Sequence, residues 1–118
     1  MKENVIQDKS YKFAVRITKL YLHLKSEKKE YELSKQLLRS GCSIGSNVEE
    51  AIGGYSRKDF SAKLGIAYRE ARETKYWLRI LKDVGLIDEI MFKSLYDDLE
   101  EVLKIIGSIQ ITLKSKNS

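Results

Sequence analysis

The sequence predicts an all-α fold: an antiparallel up-down-up-down four-helix bundle forming one domain over 1–118. Three observations predict it. Apolar residues recur in alternating steps of three and four along four segments, the spacing of one helical face. The 118 residues include no proline, so nothing breaks a helix interior. Capping and glycine signals separate the four segments, and no stretch alternates with period two for long enough to make a strand.

The first helix is expected over about 8–28, with Phe13, Ile17, Leu20 and Leu24 on its seam. The second is expected over 33–52, with Leu37, Gly41, Ile44, Val48 and Ala51 on one face. The third, over 57–84, carries Phe60, Leu64, Ala67, Ala71, Thr74, Leu78 and Leu81 in unbroken heptad spacing. The fourth, over 89–114, repeats that spacing through Phe92, Leu95, Leu99, Val102, Ile106, Ile109 and Leu113. A seven-residue period implies near-parallel axes and a shallow crossing angle.

The joints are legible too. Ser56-Arg57-Lys58-Asp59 reads as a capping box, with Tyr55 and Phe60 placed as a hydrophobic staple. Gly53-Gly54 before it suits a helix end that uses positive φ. Asp88 repeats the cap, with Ile87 and Phe92 as its staple, and Gly85 stops the third helix. Short connections force antiparallel neighbours. Lys114 to Ser118 reads as a frayed tail.

Composition narrows the function classes. One cysteine cannot form an intramolecular disulfide, which suits a reducing cytoplasm. Met1-Lys2-Glu3-Asn4 opens no apolar run of signal-peptide length, and no stretch is apolar enough to span a membrane. The protein is therefore expected to be cytoplasmic. Residues 1–29, 30–55, 56–84 and 85–118 carry net charges of +5, −2, +4 and −2. Sequence neighbours are thus oppositely charged, which favours packing side by side.

Each helix also shows apolar residues beyond its seam: Tyr11, Val15, Thr18 and Leu22 on the first, Ile66, Trp77, Ile80 and Val84 on the third, and Tyr96, Leu103 and Ile111 on the fourth. They either widen the core stripe or form an interface with further copies of the chain. A Trp-Ile-Val strip on a small monomer favours the interface, so a homo-oligomer is expected. On the second helix, Ser40-Gly41-Cys42-Ser43-Ile44-Gly45-Ser46 is a run of small residues in a helix interior. It lets another helix backbone approach closely, and Gly65 and Gly107 are expected to do the same. The run lacks the strand-then-loop setting that a phosphate-binding glycine loop needs.

Nothing in the sequence assembles a catalytic site. The lone His23 lies on the polar side of the first helix, and the lone Cys42 lies off the seam of the second and reads as an inert thiol. The inventory cannot supply a His/Cys metal site, and it lacks the Glu-x-x-His pairs of a bundle di-metal site. No enzyme activity, cofactor or small-molecule substrate is expected. Ser43, Asn47 and Glu50 share a polar line beside the seam of the second helix, with Gly54 in register. A structural network that fixes this helix against the Ser56–Asp59 cap is preferred over a ligand pocket.

The charged feature with functional content lies on the third helix. Lys58, Arg69, Arg72, Arg79 and Lys82 lie opposite the heptad seam, with Tyr76 among them, and Lys9, Lys12, Arg16 and Lys19 add positive charge on the first helix. Guanidinium groups pair with phosphates and a tyrosine stacks on an unpaired base, so this face could hold RNA. The alternative is a solvated face whose cations pair with acidic neighbours on the second and fourth helices. Repetition of the stripe around an oligomer would strengthen a weak field.

The segments Ser43-Ile44-Gly45-Ser46-Asn47-Val48-Glu49-Glu50-Ala51, Tyr55-Ser56-Arg57-Lys58-Asp59-Phe60, Tyr76-Trp77-Leu78 and Asp83-Val84-Gly85-Leu86-Ile87 resemble the 23S rRNA intervening-sequence proteins, a four-helix bundle family. The likeness covers nearly the whole chain. It implies a bacterial cytoplasmic bundle that assembles as a homopentamer and brings no catalytic residues. Its genes lie in insertions within large-subunit rRNA genes or elsewhere in the genome. Distant relatives serve retroelements as accessory proteins that bind a reverse transcriptase and nucleic acid. Gly45 stands where the family often has proline, and Glu49-Glu50-Ala51 replaces the commoner Ala-Glu-Gly. Two functions compete: an RNA-associated homo-oligomer, or an oligomeric module that meets an acidic protein through its basic face.

Overall fold

The computed structural model describes residues 2–116, with side chains described over 5–115. Four helices, α1 (Lys2–Ser26), α2 (Glu32–Ile52), α3 (Arg57–Asp83) and α4 (Glu89–Lys116), build a rod 49 Å long and about 20 Å across. Each helix packs on its sequence neighbours, α1 also packs on α4, and the two diagonal pairs do not meet.

Pairwise contacts set the directions. Gln7 reaches Glu49 and Thr18 reaches Cys42, so α1 and α2 run antiparallel. Arg39 meets Glu70 and Glu73 while Glu50 meets Lys63, so α2 and α3 do too. Ser61 meets Gln110 and Lys75 meets Glu100 across α3 and α4. Lys9–Glu101 and Arg16–Asp98, both at 2.6 Å, close the ring antiparallel between α4 and α1. The alternating segment charges are realised as these interhelical pairs. Each is exposed enough to set register more than to add stability.

The core follows the heptad seams. Phe13, Ile17, Leu24, Leu37, Ile44, Leu64, Leu78, Leu81, Leu95, Leu99 and Ile106 are fully buried. The α1 seam extends further back than expected. Ile6 and Ser10 are buried and complete the stripe of Phe13 and Ile17, so α1 begins at Lys2 and not near residue 8. Ser10 is polar, which hid the continuation. A Cβ on Gly45 would lie 3.3 Å from the Ser10 carbonyl, and one on Gly41 only 2.7 Å from Ile17 Cγ2. The small-residue run of α2 therefore seats α1 against it. Gly65 and Gly107 make no such approach: the nearest atoms to an added Cβ are Gln110 Nε2 at 3.6 Å and Tyr68 Cε2 at 3.9 Å.

Helix ends depart from expectation in three places. Tyr55 is 100% exposed, so it does not staple to Phe60. Gly53 has φ −83°, and Gly85 is the glycine that takes positive φ, at 82°. There the Gly85 N–H bonds the Lys82 carbonyl and the Leu86 N–H the Leu81 carbonyl, a Schellman closure with Leu86 packed on the core. α4 continues helically through Lys116, and the rest of the expected frayed tail, residues 117–118, lies outside the described residues. The two serine and aspartate caps form: Ser56 Oγ accepts from the Asp59 N–H at 3.1 Å, and Asp88 Oδ1 from the Met91 N–H at 2.8 Å. α2 starts differently. Its N-cap residue Tyr31 offers no side-chain bond, and the Glu30 carboxylate accepts from the N–H groups of Glu32, Leu33 and Ser34 at 2.7–3.0 Å.

Candidate nucleic-acid interface

α3 turns its seam of Leu64, Ala67, Ala71, Thr74, Leu78 and Leu81 inward. At 100° per residue the opposite side must carry Lys58, Arg69, Arg72, Tyr76 and Arg79. All five are exposed, Tyr76 by 56%. The Tyr76 ring meets Trp77 edge-on at 5.2 Å, and the Trp77 indole N–H donates to Glu73 at 2.9 Å. Trp77 packs against the core, so it anchors one edge of Tyr76.

Among the described residues, ion pairs hold some of the surface cations and leave others free, Lys19, Lys35 and Lys104 among them. Lys9 and Arg16 are tied to α4 carboxylates and Lys12 to Asp8, so most of the extra charge expected on α1 is compensated. Arg39, Lys63 and Lys75 are likewise paired. Lys82 contacts Asp83 at 3.7 Å and lies 4.4 Å from the Phe92 ring centroid, so it turns toward α4 and is not a free end to the stripe. Among the described residues, Lys58, Arg69, Arg72 and Arg79 make no ion pair within 4.0 Å.

The polar line on α2 resolves into separate bonds. Asn47 Nδ2 donates to the Ser43 carbonyl at 2.8 Å, while Glu50 pairs with Lys63 on α3 at 2.7 Å. Asn47 and Glu50 therefore serve different helices and do not bond each other. Across α3 and α4, the hydrogen bond and charge of Glu100 push the Lys75 ammonium above its usual range, and the same bond holds the Glu100 carboxyl below its own. His23 is exposed, and the Cys42 sulfur sits 3.5 Å from Thr18 Oγ1. Among the described residues no three His, Cys, Asp or Glu side chains converge on a metal position. No helix among them is long and apolar enough to cross a membrane.

The residues expected at a self-association surface separate into classes. Tyr11, Leu22, Val84 and Ile111 are well exposed, whereas Val15, Ile66, Trp77, Ile80 and Tyr96 are half-buried. Leu103 is 6% exposed and belongs to the bundle's own core, because its position on α4 faces α3. In the antiparallel pair the Thr18–Cys42 contact puts Leu22 and Leu38, each one turn away, at the same level, so the half-buried Leu38 lies at the level of Leu22. Sequence reading missed Leu38 because that alignment needs both helices.

The helical rod thus carries interhelical ion pairs along its edges, exposed cations without ion pairs on the outward face of α3, and exposed apolar side chains on α1. The chain belongs to the 23S rRNA-intervening sequence protein family, whose model matches residues 2–108. It is similar to a protein of unknown function from the S23 ribosomal protein family of Bacteroides thetaiotaomicron VPI-5482, known from its crystal structure. The two are 49% identical over 93% of this chain and 98% of that chain, with a TM-score of 0.92. No curated protein matches the chain.

Proposed function

We propose that this chain is a non-enzymatic cytoplasmic member of the family that assembles as a homopentamer through its α1–α2 apolar seam. In the assembly it holds RNA on the outward face of α3. The observation that carries the reading is the set of exposed, unpaired cations Lys58, Arg69, Arg72 and Arg79 on one helix face. Arginine left without a carboxylate keeps its fork of donors for phosphate oxygens. A ring of such faces multiplies a field that one copy supplies weakly.

The test is RNA binding by fluorescence anisotropy across salt concentrations, with particle mass from light scattering. Binding should weaken steeply with salt, and replacing Arg69, Arg72 and Arg79 with glutamine should flatten the log–log slope by about 2, from roughly 0.7 per phosphate contact on a single strand. A slope unchanged by the triple substitution, or no binding at low salt, sinks the RNA assignment. In the latter case, capture of an acidic protein through the same arginines would establish the protein-partner alternative.

A further inference from the structure

Between α3 and α4 runs an open groove of about 890 Å³. Its floor and walls are Tyr68, Leu103, Gly107 and Ile111, and Arg72 and Lys104 stand on its rims. Ile111 is 72% exposed. The glycine keeps the groove deep: a Cβ at Gly107 would come no nearer than 3.9 Å to the Tyr68 ring, so packing does not require its absence.

Glu100 and Glu101 also border the groove, but each is engaged. Glu100 pairs with Lys75 at 2.8 Å and Glu101 with Lys9 at 2.6 Å. Arg72 and Lys104 have no ion pair among the described residues. The groove thus presents the Tyr68, Leu103 and Ile111 side chains between Arg72 and Lys104, neither of which forms an ion pair, although the Arg72 charge also acts on Glu100. Arg72 belongs at once to this rim and to the exposed α3 stripe.

We infer that the groove receives one unpaired nucleobase from a strand lying on α3, packed against Tyr68 over Gly107, with Arg72 and Lys104 taking the flanking phosphates. The inference rests on the proposed RNA-binding reading and narrows it to single-stranded nucleic acid. A base within a duplex is stacked and paired, and cannot enter a side groove without being unstacked. Stacking on an aromatic ring tolerates any base, so the site confers preference for strandedness rather than sequence.

The test compares a labelled single-stranded oligoribonucleotide of about a dozen residues with a blunt duplex of the same composition. Gly107→Leu fills the groove from a position where the first added carbon meets nothing closer than ordinary contact, so thermal unfolding should come at or a few degrees above the wild-type temperature and particle mass should be unchanged. Single-strand affinity should fall by about fivefold or more, with duplex binding unchanged. Lys104→Gln, which leaves packing untouched, should lower single-strand affinity more than duplex affinity. Full single-strand binding by Gly107→Leu, while the arginine triple variant loses it, would overturn the groove assignment and leave the RNA reading standing. Equal wild-type affinity for strand and duplex would overturn it in the same way. A polyglutamate peptide that displaces the strand at equal charge would show a site for acidic chains and overturn it as well. Absence of all RNA binding at low salt would remove both readings.

Discussion

Four glycines sit in helix interiors of this bundle, and alanine at each should give opposite results for reasons visible in the packing. Any of them, replaced by alanine, gains about 1 kcal/mol of helix propensity. What differs is what the new methyl meets. At Gly41 it would lie 2.7 Å from Ile17 Cγ2 and 3.1 Å from Cγ1, against an ordinary carbon–carbon separation of about 3.5–4.0 Å. Ile17 is fully buried and β-branched, so its χ1 cannot swing aside, and α1 would have to move off α2. Overpacking of this kind costs about 1–3 kcal/mol, leaving Gly41→Ala less stable by about 1 kcal/mol after the propensity gain. At Gly107 and Gly65 the nearest atoms stand at 3.9 and 3.6 Å, so the propensity gain survives and both variants should be stabilised by about 0.5–1 kcal/mol. Gly45 falls between, because its 3.3 Å neighbour is the Ser10 backbone carbonyl and the two effects nearly cancel. Thermal unfolding at one fixed protein concentration should rank the variants Gly107→Ala and Gly65→Ala above Gly45→Ala, with Gly41→Ala last. At about 4 °C per kcal/mol the extremes should differ by roughly 6–8 °C. A Gly41→Ala protein as stable as Gly107→Ala would refute the argument, since it would mean that α1 and α2 do not approach as described.

Further outcomes follow from the same geometry. Glu30→Gln weakens the α2 cap and should cost about 1 kcal/mol at neutral pH in urea unfolding. Burial raises the Glu30 carboxyl, but the N–H groups of Leu33, Ser34 and Glu32 outweigh it and hold the carboxyl below its usual value of 4.5. Its stabilisation is therefore complete above 4.5 and drains away as pH falls through the depressed folded value. The difference between wild type and Glu30→Gln should shrink in that acid range, and a constant difference would count against the cap. The buried Thr74 hydroxyl lies 3.0 Å from Ser40 Oγ and 2.8 Å from the Glu70 carbonyl. Thr74→Val alone should cost about 1–2 kcal/mol, and adding Ser40→Ala should cost less than the sum of the single changes, a coupling that a double-mutant cycle measures. Leu22→Glu should reduce the assembled mass in light scattering while leaving the helical circular dichroism intact, because Leu22 is 55% exposed and outside the monomer core.

The fold was readable because each helix repeats one periodic signal for many turns. The seam of α3, from Leu64 to Leu81, lies buried as the spacing requires. What escaped depended on polar atoms or on two helices at once. Ser10 interrupts the apolar run of α1 although it is as buried as Phe13, so apolar spacing alone does not reach the true start of the helix. Glu30 caps α2 from two residues before the helix, where sequence reading looks for a short serine, threonine or aspartate side chain. Leu103 and Leu22 both lie off their seams, but at 100° per residue Leu103 is only about 70° from the α4 seam, whereas Leu22 is about 170° from the α1 seam. One is therefore drawn into the core beside α3 and the other is left exposed on α1. The Tyr68–Gly107 groove has no signature in either helix alone.

The same distinction bears on how the proposed RNA binding and the proposed assembly would share one bundle. Helices α1 and α3 are diagonal in the bundle and their backbones do not approach, so Tyr11, Val15 and Leu22 on the outer side of α1 lie away from Arg69, Arg72 and Arg79 on the outer side of α3. Of the α1 cations, Lys9 and Arg16 are held by Glu101 and Asp98 on α4, and Lys12 by Asp8. Lys9 and Arg16 of α1 and Lys63 and Lys75 of α3 thus help to fix the order of helices, while Arg69, Arg72 and Arg79 on the outward face of α3 make no ion pair among the described residues. Substitutions on the two faces should then separate cleanly: Leu22→Glu lowering mass and reducing RNA affinity only through lost multivalency, the arginine variants lowering affinity with mass unchanged. Loss of assembly in the arginine triple variant would show that the two faces are one, and the diagonal arrangement would no longer explain the function.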